Sequence, residues 1–133
     1  MTFRVLSALL TLAGAAAFGS AFPRAQVRAA EVACPNAMTQ LAIDTCVGGA
    51  AAKAHAAEKA AYLALQIRAR GTPKAATLAA REGSWLVARE RNCRAQARAY
   101  AGGSIVGSIV AGCREASDRK RAAVLRAQLS AAR

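Results

Sequence analysis

Two short breaks in an otherwise helix-forming chain limit what it can fold into. "GTPK" at 71–74 and "AGG" at 101–103 interrupt long runs rich in Ala, Leu, Arg and Lys. Gly and Pro in such clusters end helices, while Ala-rich runs favour them. The expected architecture is all-α: a small antiparallel three-helix bundle, because short connections make successive helices antiparallel neighbours.

The first helix is expected over 39–70, with Thr39 as its cap and Arg68, Arg70 and Gly71 at its end. Gly48 and Gly49 weaken it locally by about 1 kcal/mol each relative to Ala. Thr72 and Pro73 suit the start of a second helix, expected to reach Tyr100. "GSIVGSIVAG" reads as an apolar connector or short helix. The third helix is then expected from around 109–113 to Gln128.

The beginning of the chain reads differently. "MTFR" is basic, "VLSALLTLAGAAAFG" is apolar and uncharged, and small residues follow at "GSA" (19–21) and "VRA" (27–29). That order is the pattern of a secretory signal peptide. Residues 1–29 are assigned to it, with cleavage between 21 and 30, and 30–133 to the helical domain. The apolar run is shorter than the roughly 20 residues a spanning helix needs, so no membrane span is expected after signal removal. The expected location is periplasmic or secreted.

Export changes how Cys34, Cys46, Cys93 and Cys113 are read. An even number in a small exported domain favours disulfides, here two. No close cysteine pair suggests a metal site, and none is expected. On an antiparallel bundle Cys46 begins helix one, Cys93 ends helix two and Cys113 begins helix three, with Cys34 just before. All four therefore fall at one end. Three pairings remain possible, and the one weakly preferred is Cys34–Cys93 with Cys46–Cys113, tying the lead-in to helix two and helix one to helix three.

The formal charge is +12. Without Arg4, Arg24 and Arg28 there remain 16 basic and 7 acidic residues. For an exported protein this charge suits anionic envelope material or acidic proteins, and no nucleic acid is expected. Catalysis is poorly supplied. His55 is the single histidine and reads as a solvated side chain, the acids look sparse and scattered, and "GGSIVG" lacks the lysine of a phosphate loop. The protein is expected to be no enzyme and to need no cofactor.

Binding is left, and "WLVARERNC" (85–93) is the stretch to examine. Trp and Arg often anchor interfaces. Trp85 and Arg89 share a helix face, so the guanidinium can pack near the indole. Trp85 is expected in the core with Leu78, Tyr62 and Leu125. Arg89 suits either a structural or a surface role, and Arg89, Arg91 and Arg94 are the partner-binding candidates.

These residues carry a resemblance. "LAAREGSWLVARERNC" resembles the pattern Leu–x6–Trp–x3–Arg–x3–Cys of the lysozyme inhibitor LprI-like family, through Leu78, Trp85, Arg89 and Cys93. Cys113, Ser117, Arg121 and Leu125 resemble its final helix, and Tyr62 its first. Where that family usually has Asp, Leu and Asn before the Tyr, this chain has His55, Glu58 and Lys59. Where it often has Gln before the Trp, this chain has Glu82. The resemblance implies a disulfide-bonded helical envelope protein whose partner is a lysozyme or related muramidase. It implies an arginine, Arg89 or a neighbour, as the inhibitory contact to a carboxylate-bearing cleft. The alternative from charge alone is a structural or adhesive module for anionic envelope polymer or lipid.

Overall fold

The computed structural model describes residues 34–131. The expected signal peptide lies outside the described residues. Three helices follow in order: α1 (Gln40–Ala69), α2 (Pro73–Ala97) and α3 (Val106–Ala131), with one turn of 3-10 helix (Arg98–Tyr100) after α2. The all-α bundle expected from the two breaks is what forms. Among the described residues no helix is long and apolar enough to cross a membrane.

Local chemistry explains the boundaries. Thr39 caps α1 by accepting a hydrogen bond from the Ala42 N–H at 3.2 Å. Thr72 occupies the equivalent place before α2, but its hydroxyl donates back to the Ala69 carbonyl at 2.7 Å and leaves the helix end without a side-chain cap. Gly71 makes the intervening turn possible: its φ is 75°, which side chains with a Cβ avoid. α1 continues unbroken through Gly48 and Gly49.

The third helix starts earlier than expected. "GSIVGSIVAG" is not a connector, because from Val106 onward it is the first two turns of α3. Its small residues have a use. They let α3 lie close against α1, where Gly112 faces Val47 and Ser108 is buried. The Ser108 hydroxyl donates to Asp44 and accepts from Gln40 Nε2 at 3.1 Å.

α1 and α3 run parallel, as shown by contacts from Gln40–Ser108 at one end to Arg68–Leu129 at the other. α2 runs antiparallel to both. The closest packing is between α1 and α3, while α1 and α2 touch least despite their short link. Ala and Gly on the first pair allow backbone approach, whereas α2 meets α3 through long charged side chains.

Both disulfides sit at one end, as expected, but the pairing differs. Cys34 bonds Cys46 and Cys93 bonds Cys113, with Cα separations of 6.0 and 5.4 Å. The weakly preferred Cys34–Cys93 and Cys46–Cys113 pairs do not form. The lead-in turns back at once, with Ala37 N–H on the Cys34 carbonyl, and so stays on α1. The α2–α3 hairpin meanwhile brings Cys93 opposite Cys113. Each bridge joins segments adjacent in sequence.

The core is thin. Its largest fully buried side chains are Leu125, Val47, Asp118 and Cys93, so a carboxylate ranks with the apolar residues. Leu125 is in the core as expected. Leu78, Trp85 and Tyr62 are only half-buried. Ala61, Ala97 and Ala122 fill positions where larger residues would hold the helices apart.

Candidate functional site

Helical spacing gathers charge at the middle of the bundle. Glu82, Trp85, Arg89 and Cys93 fall on the α2 face that meets α3. Arg114, Asp118, Arg121 and Leu125 fall on the α3 face that meets α2. His55 and Glu58 complete the group from α1.

The acids that look scattered in sequence therefore converge. Glu58, Glu82 and Asp118 are 2%, 4% and 1% exposed, which places three carboxyls inside a small bundle. Burying a charge is costly unless it is paired. Asp118 accepts from Arg89 Nη1 at 2.5 Å. Glu82 Oε2 accepts from Arg121 Nη2 and Nε at 2.7 and 3.1 Å. Both guanidiniums lie 5.3 Å from the centre of the Trp85 ring, close enough for cation–π attraction. Trp85 is thus a platform for the two arginines that neutralise the buried acids.

Glu58 is the third acid, and among the described residues no arginine or lysine pairs with it. Its pKa is pushed up to about 7, first by burial, then by a hydrogen bond to Glu82 and by the charges of Glu82 and Asp118. The geometry agrees. Glu82 Oε1 is buried and has no other hydrogen-bond partner. A protonated Glu58 supplies the donor. With that proton in place, two arginines balance two carboxylates. His55 Nδ1 stands 3.5 Å from both Glu58 Oε2 and Asp118 Oδ2, with its side chain 49% exposed. It lies at the rim of a shallow depression of about 360 Å³, beside Arg89, Glu90, Arg114 and Asp118.

The cluster's chemistry is structural. Glu58 and Glu82 are too deeply enclosed, and Glu82 too tightly held by Arg121, for a sugar or peptide bond to reach between them. Among the described residues no group of His, Cys, Asp and Glu is arranged to hold a metal ion.

A second network lies nearer the disulfides. Glu90 accepts from Arg114 at 2.6 and 2.9 Å and from Arg94 at 2.6 Å. These hydrogen bonds, Arg114 first, hold its pKa down to about 2, and they raise that of Arg114.

The three arginines singled out in the sequence fare differently. Arg89 is 13% exposed, bonds Asp118 and lines the shallow depression. Arg94 is exposed but paired with Glu90. Arg91 is exposed on the outer side of α2. Sequence reasoning missed Glu58, Glu82, Asp118 and Arg121 as a group. A signal existed for one element: Glu82 and Arg89 share the helix face of Cys93, and a disulfide cysteine fixes which face points inward.

A family model described as Lysozyme inhibitor LprI matches residues 31–125. The chain belongs to the LprI lysozyme inhibitor family. No curated protein and no solved structure gives a significant match. The matched span takes in all four cysteines and the whole charge cluster of this LprI family member. Glu58 and Glu82 stand where the resemblance leads one to expect Leu and Gln. Its two disulfides fit a location outside the cytoplasm.

Proposed function

We propose that this protein is an exported inhibitor, periplasmic or secreted, that blocks a lysozyme or related muramidase by protein–protein contact and not by catalysis. The observation that carries the reading is the family match across residues 31–125. The two disulfides and the internally neutralised charge cluster support it, since both fix the bundle's outer surface before a partner arrives. The inhibitory contact is made by exposed cations meeting the carboxylates that muramidases use for glycoside hydrolysis.

The test is turnover of peptidoglycan by several lysozyme types with the oxidised mature protein in micromolar excess. At least one type should lose most of its activity, and the loss should disappear on reduction of the protein. Unchanged turnover for every type would remove the reading.

A further inference from the structure

The charges of this bundle are segregated along its length. Residues 59–81 and 119–131 form the end away from the disulfides, and they hold nine lysines and arginines and no carboxylate. At the disulfide end, Arg89, Arg94 and Arg114 all have carboxylate partners. At the far end Lys74 and Arg81 are exposed and have none among the described residues.

This acid-free end also contains a hollow of about 710 Å³, where the end of α1, the start of α2 and the outer part of α3 meet. Leu65, Pro73 and Leu78 give it an apolar floor. Lys74 and Arg81 stand at its edge, and Arg121, already satisfied by Glu82, lines it from α3.

We propose that this groove is the docking site for an acidic polypeptide segment, with its apolar side chains on the Leu65–Leu78 floor and its carboxylates on Lys74 and Arg81. The charge complementarity is one-sided: the groove lacks any acid to repel such a segment. A polypeptide fits better than other anions for two reasons. Its side chains mix apolar groups with carboxylates, matching both floor and rim. A flat bilayer cannot reach into a recess between three helices, and it would need a convex face instead. The proposal names the surface by which the inhibitor meets its target, and it relies on the proposed function for the target's identity but not for the binding itself.

The test compares two variants of equal charge change on the oxidised protein: Lys74→Glu with Arg81→Glu, and Lys53→Glu with Arg98→Glu. All four positions are exposed, so both variants should keep the wild-type helical signal and melting transition. The probe is a fluorescein-labelled peptide of mixed Glu, Asp and Leu, followed by anisotropy at low and physiological salt. The groove variant should weaken binding by about tenfold or more and the control by less than about threefold. Equal weakening would show attraction by net charge alone and overturn the proposal, as would absence of binding at low salt. Vesicles of phosphatidylglycerol and phosphatidylcholine form the second arm. Vesicle binding that is lost in the groove variant, with no peptide binding, would assign the surface to membranes and also overturn it. The muramidase assay is read separately. A wild-type protein that binds the peptide but inhibits no lysozyme keeps the groove and removes the target.

Discussion

The two ends of this bundle are stabilised by different means. One end is closed by two disulfides, and there Arg94 and Arg114 share the carboxylate of Glu90. Among the described residues the other has no crosslink and no acid. It relies on Leu125, a few alanines and the α1–α3 contact. Between them lies the cluster of Glu58, Glu82, Asp118, Arg89 and Arg121, which joins all three helices. A small Ala-rich domain lacks the apolar volume to build a large core. Here covalent bonds replace that volume at one end, and paired charges replace it in the middle. The remaining end stays cationic and open.

Removing the charged joint between the two ends has the largest expected effect. Asp118→Ala leaves Arg89 buried beside Trp85 without its carboxylate, and should cost about 3–5 kcal/mol. The urea midpoint measures it. Asp118→Asn should recover only part of the loss, because the amide keeps the shape but not the charge.

Next in size is the loss of a crosslink. Replacing Cys93 and Cys113 together by Ser should cost about 3 kcal/mol, the expected value for opening a loop of this length. Hydrogen exchange then reads the two ends separately. Amides near the α2–α3 hairpin, protected in the native protein, should then exchange as fast as those at the acid-free end. If the two ends still differ, the disulfide is not what distinguishes them.

The smallest effect concerns the proton. Glu58 has a folded pKa of about 7, above its ordinary value of 4.5. The folded state therefore binds more protons than the unfolded state between those values, and stability falls as pH rises from about 4.5 to 7. The loss should be about 1–3 kcal/mol. Glu90 acts in the opposite sense and lower: its pKa near 2 gives stability that is present above about 4.5 and lost as pH falls towards 2. Stability should thus be greatest in mild acid. Glu58→Gln, which keeps a donor for Glu82 without a titrating proton, should flatten the slope above pH 5 and raise the melting temperature at pH 8. A slope that persists in the variant would place the titration elsewhere.

Much of the fold was legible in sequence because it depends on local rules. Gly71 with Pro73 and Gly102 with Gly103 mark the breaks, and cap and propensity rules do the rest. The position of the cysteines at one end follows from the helix count. Their pairing does not, because it depends on whether the Cys34 lead-in crosses to α2 or folds back onto α1. The site was less legible. Glu58, Glu82 and Asp118 lie on three different helices, and only the tertiary register shows that they meet. Trp85 misled for a related reason. It is the largest side chain in an Ala-rich bundle, yet the bundle uses it to flank two guanidiniums and leaves full burial to Leu125. The start of α3 was hidden because "GSIVGSIVAG" combines small residues with β-branched ones, and close packing on α1 overrides their weak local preference.

The consecutive pairing of the cysteines has a consequence for how the molecule is made. A chain that emerges N-terminus first presents Cys34 and Cys46 while Cys93 and Cys113 are still to come. The first bond can close when no competing thiol exists, and the second pair then has only itself to choose. Correct connectivity follows from order of appearance, without later reshuffling. A crossed arrangement would have required Cys34 to wait for α2 and Cys46 to wait for α3.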